Sequence, residues 1–139
     1  MAALFGDLFA GHPPATLGAH NGALALCPES PNCVSSRAAD DAHSVAPFEY
    51  ADDSRTALGR LAGIISMQPG ARIVTREPDY LHAEFESKWI GFVDDLELQV
   101  DPVAHVIHVR SASRLGRTDF GVNRARVESL RATFAAGAP

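Results

Sequence analysis

From Tyr80 to Ala112 the chain alternates apolar and polar residues in three successive runs, and a period of two commits such runs to β-strands. In Tyr80–Ser87, Leu81, Ala83 and Phe85 point one way and His82, Glu84 and Glu86 the other. Phe92–Val100 turns Leu96, Leu98 and Val100 inward, and Ala104–Ala112 does so with Ile107 and Val109. Lys88–Gly91 and Asp101-Pro102 read as turns between them. A shorter β-branched run, Arg72–Arg76, precedes them across the turn Glu77-Pro78-Asp79. Strands joined by turns this short pair antiparallel, so the spacing predicts a four-stranded meander.

A helix is predicted on each side of it. Asp52-Asp53-Ser54 offers capping oxygens, Ala57, Leu58, Leu61, Ile64 and Ile65 follow at helical spacing, and Pro69-Gly70 ends the run near Met67 or Gln68. A second helix starts near Asn123 and carries an apolar stripe of Val127, Leu130 and Phe134. The expectation is an α+β domain of order α-β-β-β-β-α, with both helices on the apolar face of the sheet. Residues 11–50, with five prolines and little periodicity, read as an irregular wrapping segment packed on a core of residues 51–139. In residues 1–10, Leu4, Phe5, Leu8 and Phe9 suit a short amphipathic helix that seeks a core or a partner. The chain of 139 residues is the size of one domain.

Charge is unevenly spread. Residues 1–109 carry a net −9 and residues 110–139 a net +4. An acidic chain with one lysine and no basic stripe interleaved with aromatics argues against nucleic acid as a partner. No apolar run reaches the length of a transmembrane segment. The first ten residues lack the basic start of a signal peptide, which favours a cytoplasmic setting as written.

Half of the twelve basic residues lie between Arg110 and Arg131. Arg110, Arg114, Arg117, Arg124 and Arg126, with Gly116, Gly121, Asp119 and Asn123, occupy a strand-to-helix turn. Arginine forks suit carboxylates and phosphates, and a helix start supplies free N–H groups, so the turn is a candidate anion site. Arg110, Arg114 and Arg124 are also suited to pair with Glu84, Asp94 or Asp95 and lock the last helix to the sheet. Tight turns would place Glu84, Asp95 and Arg110 in one cross-strand row of the polar sheet face, and His82, Glu97 and His108 in the next. That face reads as solvated and stitched by ion pairs, or as a docking surface for a partner or for residues 11–50. The second row is also a possible set of zinc or iron ligands. Asp94 falls on the apolar side of its strand, which calls for a β-bulge or a buried arginine partner. Cys27 and Cys33 are the only cysteines, on a proline-restricted loop. A disulfide, packed thiols, metal ligation and a reactive thiol all remain open for them. Neither a Walker A nor a dinucleotide motif appears, and no cofactor is expected.

Four ordered motifs carry a resemblance. Cys27-Pro-Glu-Ser-Pro-Asn-Cys33-Val-Ser-Ser36, Tyr80-Leu-His-Ala-Glu84, Gly91-Phe-Val-Asp-Asp95, and Arg110-Ser-Ala-Ser-Arg114 through Gly121-Val-Asn-Arg124 resemble the domain-of-unknown-function 1499 family, over about Leu17 to Phe134. The resemblance assigns no activity. It implies an envelope, periplasmic or luminal setting, because relatives often carry a hydrophobic or lipoprotein-type leader. The functional expectation is a binding or accessory module that holds a small anion or an acidic partner protein. Arg110, Ser113, Arg114, Asp119, Asn123, Arg124, Glu84, Asp94 and Asp95 would line its site. The alternatives are an enzyme using a metal on His82, Glu97 and His108 or a cysteine thiolate, and a structural subunit of a larger assembly.

Overall fold

A computed structural model describes residues 11–20, 22–88, 91–116 and 118–137. The helix expected at residues 1–10, the residues at the centre of the Lys88–Gly91 turn, and Arg117 lie outside them. The chain folds as α+β. Its elements run β1 (Cys33–Ser35), β2 (Phe48–Glu49), α1 (Ser54–Ser66), β3 (Ala71–Arg76), β4 (Tyr80–Glu86), β5 (Val93–Asp101), β6 (Val106–Ser113) and α2 (Val122–Ala136).

The meander β3–β6 forms as the alternation requires, but the sheet has six strands, ordered β1-β6-β5-β4-β3, with β2 also on β6. The segment before residue 51 is therefore not irregular throughout. Cys33–Ser35 pairs with Ala112–Arg110, and Phe48–Glu49 with Ile107–Val106, along one edge of β6. Ser36 fills the space between them by donating its N–H to Val109 O at 2.9 Å and accepting from Val109 N at 2.9 Å. The edge of an eight-residue strand would otherwise be left unpaired, and two strands of three and two residues suffice to cover it. Strands this short carry too few residues to reveal a period.

Asp53 caps α1 as expected, its carboxylate accepting from Thr56 N. Ala57, Leu58, Leu61, Ala62 and Ile65 of α1 meet Val127, Leu130 and Phe134 of α2 in one core with Leu81, Ala83, Phe85, Leu96, Leu98, Val100, Ile107 and Val109. Both helices thus cover the same sheet face. The opposite face is polar, and it is buried too. His82, Asp95, Glu97, Gln99, His108 and Arg110 are all under a tenth exposed, which corrects the expectation of a solvated face. Residues 18–20 and 22–26 cross it as a strap. Gly18 donates its N–H to Glu97 Oε2 at 2.7 Å, Gln99 Nε2 donates to Gly22 O at 2.7 Å, and Arg110 Nη2 reaches Leu26 O at 3.4 Å. Gly18 sits at φ +101°, where a side chain is strained. Just beyond the strap, Cys27 is joined to Cys33 of β1.

That disulfide closes a short loop and is worth roughly 2 kcal/mol in the loop-entropy account. The variant Cys27→Ala/Cys33→Ala should lose about that much in denaturant unfolding. Its Gly18 amide should exchange with solvent faster than in the intact protein, measured by hydrogen exchange.

Candidate functional site

The carboxylates of the polar face are gathered by one arginine. β4 and β5 pair Glu84 with Asp95, and Arg114 follows directly after β6 beside them. Its guanidinium donates from Nε to Asp95 Oδ2 at 2.8 Å, and from Nη2 to Asp95 Oδ1 at 2.9 Å and to Glu84 Oε2 at 2.6 Å. His82 Nε2 lies 2.7 Å from Asp95 Oδ1, and Arg72 Nη2 donates to Glu84 Oε1 at 2.7 Å. Burial alone would raise both carboxyls. Hydrogen bonds from His82 and Arg114 outweigh it at Asp95, as do those from Arg114 and Arg72 at Glu84, and both are held below the ordinary range. His82, Glu84 and Asp95 each offer an atom within a 4.8 Å cluster that has the makings of a cation site, and Arg114 supplies the positive charge there.

The metal set expected from the sequence is not brought together. The loop after β5 runs from Asp101 to Val106 and includes His105 at φ +60°, so it is longer than a tight turn at Asp101-Pro102. The longer loop moves β6 by two residues. Glu97 consequently faces Arg110, and His108 faces Gln99. His82 bonds Asp95, Glu97 accepts from Tyr80 Oη at 2.6 Å, and His108 lies between Ser36 Oγ at 2.9 Å and Asp101 Oδ2 at 3.3 Å. The row expected to join Glu84, Asp95 and Arg110 ends instead on Ala112.

Asp94 lies on the other side of the sheet. The β4–β5 ladder runs unbroken from Tyr80–Gln99 to Glu86–Val93, so there is no bulge and Asp94 turns toward the helices. The arginine it needs is the partly buried Arg126 of α2, whose Nη2 is 2.8 Å from Asp94 Oδ2 and whose guanidinium lies over the Phe85 ring. Arg126 Nη1 also donates to Ser111 Oγ and Asn123 Oδ1. Asn123 is fully buried, and its Nδ2 bonds Asp119 Oδ2, Ser113 Oγ and Asn32 O. It does not cap α2, since the cap position belongs to Gly121. Asp119 takes the capping role from outside, accepting from Gly121 N and Asn123 N at 2.9 Å each. The helix start expected to hold an external anion holds the protein's own carboxylate.

Eight of the nine expected site residues thus divide between two faces. Glu84, Asp95, Arg110 and Arg114 lie on the strapped face. Asp94, Ser113, Asp119 and Asn123 lie on the helix side. Arg124 belongs to neither cluster, because it donates to the carbonyls of Asp41, Ala42 and Ser44. Arg131 of the same helix donates to Ala46 O and Pro47 O, so α2 grips the chain before β2 with two arginines. Arg126 and Tyr80 were missed as site residues. The apolar-side position of Asp94 was the signal that pointed to a buried arginine, and the helical spacing Asn123–Arg126 would have supplied it.

Below the turn from β6 to α2 opens a cleft of about 490 Å³. Phe85, Phe92, Val93, Leu115, Phe120 and Val122 form its apolar walls, and Asp94 and Arg126 lie among its lining residues. Among the described residues, four of the eight exposed large hydrophobics border it: Phe120 (92% exposed), Val122 (48%), Leu115 (41%) and Phe92 (39%).

Two predictions follow from these contacts. Arg114→Ala takes the arginine from the buried Asp95 carboxylate, leaves Glu84 with Arg72 alone, and should cost about 3–5 kcal/mol in denaturant unfolding. The second concerns His43. Its Nδ1 is 2.6 Å from Asp40 Oδ2 and its Nε2 is 3.0 Å from Ser30 O. Both partners only accept, so the bonds to Ser30 O and Asp40 raise the imidazolium pKa above its usual value near 6.5. The raised value makes this contribution full below pH 6.5 and lost as pH rises through the folded-state pKa. His108, lowered by burial and by Arg37, acts in the window below 6.5 with the opposite sign. Unfolding midpoints should therefore fall as pH rises above 6.5, and His43→Gln should flatten that slope.

No curated protein and no solved structure matches this chain. A family model described as "Protein of unknown function (DUF1499)" matches residues 23–134, which takes in the disulfide loop, all six strands and both faces of the sheet up to Phe134 in α2. The chain belongs to the DUF1499 family.

Proposed function

We propose that the protein is a binding module whose working surface is the cleft at the strand-to-helix turn. One observation carries this reading. Phe120 holds φ at +55°, a left-handed conformation that is strained for a bulky side chain, and its ring is 92% exposed. Strain of this kind costs on the order of 1–3 kcal/mol and gathers at binding sites. Internal packing offsets none of it here, whereas a ligand covering the ring would. Contiguous exposed apolar residues beside a concavity are a usual mark of such a surface.

The ligand we propose is held chiefly by its apolar part. Among the described residues, Glu86, Asp94 and Asp119 share the lining with one guanidinium, that of Arg126, which already contacts Asp94. The other described arginines from Arg110 to Arg131 donate to the protein's own oxygens. The grip on an anion expected of this tract is therefore weaker than its composition implies. An apolar small molecule, or an apolar side chain of a partner protein, suits the cleft better. No helix among the described residues is long and apolar enough to cross a membrane. The Cys27–Cys33 disulfide supports a setting outside the reducing cytosol.

Two fluorescent probes test the reading, neutral N-phenyl-1-naphthylamine and anionic 1-anilinonaphthalene-8-sulfonate. The neutral probe should bind at least as tightly as the sulfonate. Phe120→Gly should weaken it tenfold or more, about 1.4 kcal/mol. The same change should raise unfolding stability by up to about 1 kcal/mol, because glycine relieves the strain. Failure of both probes to bind, or binding indifferent to Phe120→Gly, would overturn the proposal. A sulfonate bound ten times more tightly than the neutral probe would restore the arginine-held anion.

A further inference from the structure

A second cleft, of about 570 Å³, lies where α1, α2 and the chain around β2 meet, and its described lining shares no residue with the cleft at the strand-to-helix turn. Pro47, Phe48, Ala51 and Ala135 give it apolar walls, and Arg60 and Tyr50 border it too. Both polar groups are held in place and left short of partners. The Arg60 guanidinium lies 4.1 Å from the centre of the Phe134 ring. Stacking fixes its plane and turns its N–H edge to a planar acceptor. Its Nη1 makes one long bond, to Phe134 O at 3.3 Å, and its Nη2 stands 3.7 Å from Asp52 Oδ2, beyond hydrogen-bond range. Tyr50 is 8% exposed, and its ring centroid is 4.1 Å from that of His105. Among the described residues its hydroxyl has no hydrogen-bond partner, yet it is not sealed from solvent. A buried phenol usually finds such a partner.

We propose that this second cleft binds a small organic monocarboxylate with an apolar body, its carboxylate accepting from Arg60 and from the Tyr50 hydroxyl. Arginine offers donors alone and a phenol donates readily, which selects an acceptor-rich head group. Charge narrows the class. Arg131 borders the cleft as well, but each of its nitrogens already donates, to Glu128, Pro47 O and Ala46 O. Arg60 is therefore the guanidinium in the lining with donors to spare. Glu49 stands in the same lining. One available guanidinium beside one acidic side chain suits a singly charged ligand, whereas a dianionic phosphate would meet Glu49 with too little positive charge to offset it. The volume is that of a small-molecule site, and Phe48, Pro47 and the two alanines match an aromatic or aliphatic body. Asp52 is the internal competitor. It is partly exposed and close enough to attract Arg60 without bonding it, so a ligand carboxylate displaces a loose contact and not a formed bond. This site stands apart from the cleft proposed above, and neither requires the other.

The test titrates 3-phenylpropionate into the full chain at pH 7 and follows backbone amide shifts by NMR, with neutral 3-phenylpropan-1-ol and dianionic phenyl phosphate as comparisons. The acid should give saturable shifts gathered at residues 46–51 and 131–135, and should bind about fivefold more tightly than either comparison. Tyr50→Phe removes a hydroxyl that bonds nothing described in the protein. It should leave the thermal unfolding midpoint unchanged and weaken the acid about threefold. Asp52→Asn removes the competitor and should tighten the acid about twofold. Arg60→Gln should weaken it about tenfold. Should Arg60→Gln fail to fold, Tyr50→Phe and Asp52→Asn carry the test. Absence of saturable shifts at these residues, equal binding of acid and alcohol, or an affinity for the acid unmoved by Tyr50→Phe would overturn the proposal. Phenyl phosphate bound more tightly than the acid would overturn it too, by assigning the cleft to a phosphate.

Discussion

The fold depends on a sheet that is buried on both sides, with a polar side that must be neutralised internally. β5 is buried continuously from Val93 to Val100, and its alternation sends Leu96, Leu98 and Val100 to the helices and Asp95, Glu97 and Gln99 to the strap. Leaving charged groups out of water is costly unless each finds a partner. Arg114 meets that requirement for two carboxylates at once. Three short bonds from one planar group take up oxygens of both Asp95 and Glu84 and fix where the chain leaves β6. The turn, the cleft beneath it and the entry to α2 all follow from that exit.

The strap completes the arrangement. It meets polar side chains with backbone groups, an N–H for Glu97 and carbonyls for Gln99 and Arg110, and the disulfide holds its end at β1. Atoms remain without a hydrogen-bond partner beneath it among the described residues: Glu97 Oε1, Gln99 Oε1 and Arg110 Nε. The burial of Arg110 without an ion-pair contact lowers its pKa, an effect that the nearby Glu97 and Asp95 charges oppose. The positive charge of the last thirty residues is thus spent largely on architecture. Arg114 neutralises the strapped face, Arg126 answers Asp94, and Arg124 and Arg131 fasten α2 to the carbonyls of residues 41–47.

Much of this was legible in the chain. The meander, both helices and the inward sets of β4–β6 followed from period alone, because each element is long enough to display one. An arginine lock onto Glu84 and Asp95 was one of two readings of the tract, and Arg114 supplies it, whereas the arginine expected at the facing position was Arg110. The misread register traces to one loop. A tight turn was expected at Asp101-Pro102, the loop extends to Val106, and two residues of slip exchange Arg110 for His108 opposite Glu97. The slip preserves the facing of every side chain, so the alternation carried no warning of it. β1 and β2 were unreadable for a different reason. Two or three residues become a strand only because β6 presents an unpaired edge.

The sequence by itself determined which residues face which way, where the helices lie, and that positive charge collects between β6 and α2, because these are properties of spacing and order. Tertiary structure alone decided which carboxylate each arginine meets, that the polar face is closed by the strap, that Asp119 and not an external anion occupies the start of α2, and that apolar side chains ring a cleft there. Those outcomes depend on loop length and on contacts between residues far apart in the chain, and a one-dimensional pattern carries neither.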